Sequence, residues 1–206
     1  MSSSEPTVIA SARRAAPVLG ASTALVGCSV LLGWAFGIDV LHAAFPRQAS
    51  TIPNTAAGFV LCGVALVLAT LGPRERRVAL AVRALAGTVA FLAALTLAEH
   101  LMGSDLGIDR LLVDVLRASS PLSTTRMALN TCVAFILAGA ALVLLDVRLG
   151  RGRRPTEALA GLTFLVAYLA LVGRLYGVPQ LFAVGPRASG MAPLTAITFL
   201  ALSIGI

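Results

Sequence analysis

Apolar residues run in long blocks along this chain, separated by short polar or arginine-rich stretches. The first block extends from Ala15 to Phe36, after a small polar start and the pair Arg13-Arg14. Five more follow, approximately Asn54 to Leu71, Val78 to Met102, Asn130 to Asp146, Thr156 to Tyr176 and Ala192 to Ile206. About 20 helical residues cover the ~30 Å hydrocarbon core of a bilayer, so the pattern predicts membrane helices. A cleaved signal peptide is the alternative for the first block, but its apolar region would run only ~7 to 15 residues. The prediction is an all-α integral membrane protein with a disordered cytoplasmic start and a bundle of six helices.

The blocks repeat in pairs. Pro53-Asn54-Thr55 through Phe59 returns as Leu129-Asn130-Thr131 through Phe135 and as Pro193-Leu194-Thr195 through Phe199. Upstream of each copy stands a glycine phrase: Gly33 and Gly37, then Gly103 and Gly107, then Gly173 and Gly177, successive copies lying 70 residues apart. Such periodicity implies three repeats, roughly 15–77, 78–154 and 155–206, each holding two helices. A two-helix unit returns the chain to its starting side, so the repeats run parallel, with a pseudo-threefold axis along the membrane normal. In the loop of the middle repeat, Ile108, Leu111, Leu112, Val115 and Leu116 share one helical face, predicting a short amphipathic helix at the interface. Val40, Leu41, Ala44 and Phe45, and later Leu181, Phe182 and Val184, imitate it in the shorter loops.

Hydrophobic residues make up 58% and charged residues 12%, which excludes a soluble enzyme or a nucleic-acid binder. All the positive charge is arginine. Ten of the 16 arginines (Arg13, Arg14, Arg74, Arg76, Arg77, Arg83, Arg148, Arg151, Arg153, Arg154) fall on one side of the predicted spans. By the positive-inside rule that side and the N-terminus are cytoplasmic, and the repeated phrases form an outer rim. The cluster Arg151 to Arg154 reads as an anchor that touches anionic lipid. Cys28, Cys62 and Cys132 have no metal or redox spacing and read as small core residues.

Candidate chemistry is sparse. Glu99 and His100 sit about one helical turn inside the outer end of the third block, where an ionisable pair is costly and functional by default. Arg174, at the matching end of the fifth block, is placed to neutralise Glu99; a structural ion pair and snorkelling are the plainer readings. A functional Glu99 would hold a cationic or hydrogen-bonding ligand, or titrate with external pH, with His100 tuning it. Asn54 and Asn130 read as helix N-caps, or with Thr55, Thr131 and Thr195 as a polar ring around the axis. Gly33, Gly37, Gly103, Gly107, Gly173 and Gly177 read either as close-packing GxxxG pairs or as glycines ending the outward helices. Ligation of a haem by His42 and His100 lacks a supporting motif. No nucleotide-binding, metalloprotease or hydrolase signature occurs, so neither a catalytic residue nor a metal or other cofactor is predicted.

Pro53-Asn54-Thr55-Ala56 with Phe59, Asn130-Thr131 with Phe135 after Arg126-Met127, Gly107-Ile108-Asp109 with Leu111-Leu112, and Leu175-Tyr176-Gly177-Val178-Pro179 together resemble the multi-span N-terminal membrane region of bacterial sensor proteins. In that group such a module precedes PAS, histidine-kinase or diguanylate-cyclase domains. The resemblance implies a sensory input role, with a cytoplasmic output domain in cis after residue 206. The last apolar block, about 15 residues long and without a basic stop, also reads as the end of a fragment. Partners expected on this reading are the lipid bilayer and a second copy in a homodimer, and no nucleic acid. A small-solute transporter or channel and a cofactor-holding membrane subunit are the competing readings.

Overall fold

The computed structural model describes residues 5–42, 50–71, 75–103, 107, 115, 126–148, 154–183 and 190–206, with side chains described from residue 15 onward apart from residues 42 and 71. All regular structure among them is helical: α1 (Glu5–Phe36), α2 (Asp39–His42), α3 (Pro53–Leu71), α4 (Arg76–Met102), α5 (Leu129–Val143), α6 (Pro155–Leu175), α7 (Pro179–Phe182) and α8 (Pro193–Gly205). Segments Ala15–Phe36, Pro53–Thr70, Arg76–Met102 and Pro155–Leu175 are long and apolar enough to cross a membrane. The 15-residue α5 and 13-residue α8 are apolar but shorter. At 1.5 Å per residue they rise only about 20 Å each.

The disordered start expected over residues 1–12 is corrected from Glu5, where α1 already begins. Its first turns, Glu5 to Ala16, are rich in alanine and arginine, which lose little on entering a helix. The amphipathic segment expected around residues 108–117 lies outside the described residues, except for exposed Val115. Ala44, Phe45, Val184 and the side chain of His42 lie outside them too, and with His42 the haem pairing.

Six helices close into a ring in which α1 packs on α3 and α8, α4 on α3 and α5, and α6 on α5 and α8. Helices α3, α5 and α8 also touch one another, so they form an inner triangle buttressed by the other three. At its centre Phe59, Phe135 and Phe199, each no more than 1% exposed, meet pairwise. Their ring centroids lie 5.1, 4.8 and 4.6 Å apart with interplanar angles of 51° to 66°. Tilted and edge-to-face arrangements place the positive ring edge against the negative face.

Lipid tails are as apolar as leucine, so helices in a bilayer are held by close packing more than by the hydrophobic effect. Here that packing uses small residues. A Cβ added at Gly63 of α3 would come within 2.5 Å of the Gly20 carbonyl oxygen of α1, and one at Gly139 of α5 within 2.8 Å of the Ala86 oxygen of α4. The GxxxG phrases have another job. Gly37 and Gly177 adopt left-handed φ of 67° and 66°, and the amides of Ile38 and Val178 reach back to the carbonyls of Gly33 and Gly173 at 2.8 and 2.7 Å. This is the Schellman helix ending. In the middle phrase the helix ends earlier, with Gly103 as the left-handed cap of α4.

Candidate functional site

The glycine phrases and the starts of α3, α5 and α8 share one end of the bundle, the rim. The three inner helices open alike. The carbonyls of Ile52, Ala128 and Ala192 accept from the amides of Ala56, Cys132 and Ala196, each at 3.0 Å. Two residues before each opening helix stand Thr51, Met127 and Met191, all buried. The indole Nε1 of Trp34 donates to the Thr51 carbonyl at 2.8 Å, and Arg174 donates to the Met191 carbonyl through Nη2 and Nε at 2.9 and 3.2 Å. Trp34 and Arg174 each follow the first glycine of their phrase. Both tie the end of one helix to the start of the next inner helix.

Arg174 therefore serves a different partner from the one expected. Its guanidinium also lies over the Phe182 ring, 4.5 Å from the centroid, a cation–π contact. Among the described residues the cation that meets Glu99 is Arg126, from the segment before α5, with Nη2 3.5 Å from Oε2. Glu99 is fully buried near the end of α4, whereas the Arg126 side chain is 32% exposed. The pairing joins residues far apart in sequence, and spacing alone could not identify it. A buried carboxylate at this depth retains its charge only where a cation or hydrogen-bond donors face it. The neighbouring His100 is half-buried and its Nδ1 lies 2.8 Å from the Thr96 carbonyl oxygen, one turn back in α4.

The N-cap reading of the asparagines is corrected. Helices α3 and α5 begin at Pro53 and Leu129, one residue before Asn54 and Asn130, and the cap of α5 is Ala128, without a side-chain hydrogen bond. Asn130 instead donates its Nδ2 to the Leu181 carbonyl of α7 at 3.1 Å, fastening that short helix to the rim, while its Oδ1 is buried with no partner among the described residues. Thr55, Thr131 and Thr195 are buried beneath the rim, and Thr195 exchanges a 3.1 Å hydroxyl contact with Thr51. Below them the hydroxyls of Thr23, Thr163 and Thr198 return to carbonyls four residues back in their own helices, the usual way to satisfy such groups in apolar surroundings.

A cavity of about 160 Å³ lies between α3 and α4, lined by Asn54, Ala57, Gly58, Leu61, Val89, Leu92, Ala93, Thr96, Met127 and Phe135. Phe135 of the aromatic centre forms part of its inner wall. Gly58 makes room for the Phe135 ring, whose Cζ would lie 2.6 Å from an added Cβ. Sequence reasoning did not single out this seam, and Arg126 entered it only as the flank of the Asn130-Thr131 phrase. The signal for the aromatic centre was present in the recurring phenylalanines, but not where they meet. Among the described residues no cluster of His, Cys, Asp or Glu has metal-binding geometry. The chain matches no protein-family model, no curated protein and no solved structure.

Proposed function

We propose that this chain is the membrane input module of a bacterial signalling protein, relaying an outer-face or intramembrane signal to a cytoplasmic output domain. On this reading it is a six-helix bundle of three parallel two-helix repeats in the inner membrane, with the N-terminus and the Arg-rich turns cytoplasmic and the rim outside. The observation that carries the reading is the sealed axis. Phe59, Phe135 and Phe199 fill the centre of the inner triangle, and the hydroxyls of Thr23, Thr163 and Thr198 below the rim bond within their own helices. A transporter needs a polar route or a site at mid-depth. A sensor needs only a bistable packing that a signal at one end can bias.

The rim supplies a place for that bias. Arg126 precedes α5, and its pairing with the buried Glu99 of α4 joins an outer helix to an inner one. A change in that pairing would shift α4 against α5 and, through the aromatic centre, α8. The test is made in the full-length protein in native membranes, with output activity read for Glu99→Gln and Arg126→Ala. Both are expected to move basal output while the chain stays folded and inserted. Unchanged output in both would defeat the proposal, and solute uptake by proteoliposomes would replace it with transport. Reporter fusions in the Arg74–Arg77 turn are expected on the cytoplasmic side.

A further inference from the structure

From the seam between α3 and α4 we infer a binding site for a small amphiphile of single-ring size, with its apolar body against Phe135 and its hydrogen-bonding end toward Asn54 and Thr96. The volume of about 160 Å³ is close to that of engineered apolar cavities, about 150 Å³, that hold benzene. The lining is graded along its length. Asn54 lies in the first turn of α3 and Thr96 within two turns of the end of α4, so both stand toward the rim, whereas Leu61 and Val89 lie deeper. Gly58, Ala93 and Phe135 are buried and form the inner wall, while Leu92, 40% exposed, marks the lateral mouth on the outside of the bundle. A molecule dissolved in the bilayer would enter there without crossing the rim.

The repeated sequence explains why the space exists at this seam. Counting from the recurring Thr-to-Phe phrase, Ala57 and Gly58 correspond to Val133 and Ala134 in the second copy and to Ile197 and Thr198 in the third. Those copies carry larger side chains at both positions, and the first copy carries the smallest pair. Thr96 also stands one turn before Glu99 on α4, so an occupant at the polar end would lie beside the Glu99–Arg126 pair. As the ligand site of the proposed input module, the cavity rests on that reading for its purpose. Binding is measured without any signalling output, so the two claims fail separately.

The probe is 4-fluorophenol, titrated into the full chain in lipid nanodiscs and followed by fluorine NMR, with fluorobenzene as the hydroxyl-free control. Saturable binding of one molecule per chain is expected, about fivefold weaker for fluorobenzene. Ala57→Ile installs the residue of the third copy and is expected to weaken 4-fluorophenol by about tenfold or more. Thr96→Val keeps the side-chain shape, is expected to cost about fivefold for 4-fluorophenol and to leave fluorobenzene unchanged, and carries the test if Ala57→Ile fails to fold. The inference is overturned by non-saturable partitioning alone. Equal affinity in an Ala57→Ile variant that unfolds like the wild type, or in Thr96→Val, overturns it as well. Binding in detergent that vanishes in nanodiscs would assign the space to a lipid acyl chain and likewise end it.

Discussion

Replacing Phe199 by alanine tests whether the aromatic centre holds the inner triangle together. Phe199 is fully buried and meets Phe59 at 4.8 Å and Phe135 at 4.6 Å. In a bilayer the separated helices remain in apolar surroundings, so little of the usual water-to-interior transfer energy is lost. The cost comes from the void and from the ring contacts. Truncation removes roughly 100 Å³ of side chain, which at about 24 cal/mol per Å³ of unrelaxed cavity costs about 2.4 kcal/mol. Losing two aromatic pairs adds about 0.5 to 1.5 kcal/mol each. The sum is about 3 to 5 kcal/mol, while Phe199→Leu, which keeps most of the volume, is expected to cost about 1 to 3 kcal/mol. The chain carries one tryptophan, Trp34, bonded to the Thr51 carbonyl, and Thr51 in turn meets Thr195 of α8. Its fluorescence during a denaturing-detergent titration in bicelles is therefore a built-in probe. Phe91→Ala, at a 63% exposed position on α4, is the control and should stay within about 0.5 kcal/mol. The reasoning is refuted if Phe199→Ala costs no more than Phe91→Ala.

Gly63→Val should prevent α1 from docking on α3, because even a Cβ would collide with the Gly20 carbonyl oxygen and Ala24. Gly87→Ala in α4, where an added Cβ meets nothing within 4 Å, should raise stability by about 0.5 to 1 kcal/mol in the same titration. Asn130→Leu, copying the residue at Leu194, is expected to change stability by less than about 1 kcal/mol. It gives up the bond to the Leu181 carbonyl, about 1 kcal/mol, but also removes a buried acceptor that has no partner among the described residues. A loss well above that would show that Asn130 is held by something more than this bond.

The long helices were legible because apolar runs and their arginine-rich ends are local signals. The helix endings at Gly37 and Gly177 were legible too, since positive φ selects glycine wherever it occurs. The asparagines misled because a polar residue at a helix start is usually a cap. Here α3 starts one residue earlier, at Pro53, and α5 at Leu129, leaving Asn130 free to reach the neighbouring short helix. Glu99 stood out as an ion in an apolar run, but its cation did not. Arg174 and Arg126 both lie at the rim end, and only tertiary packing decides which one faces the carboxylate. The cavity was invisible for a similar reason, since Ala57 and Gly58 read as ordinary small residues until their counterparts at Val133, Ala134, Ile197 and Thr198 are set beside them.

Trp34 and Arg174 have nothing in common as side chains except an N–H at a similar reach, and each spends it on a main-chain oxygen two residues ahead of a helix-opening proline. Such an acceptor is present whatever residue occupies the position, and indeed Thr51 stands at one and Met191 at the other. A joint of this kind is indifferent to mutation on the receiving side and tolerant on the giving side. Helix pairs joined this way can differ in sequence without coming apart in space. The joint thus leaves the side chains around it free to differ, as Glu99 and the lining of the α3–α4 cavity do.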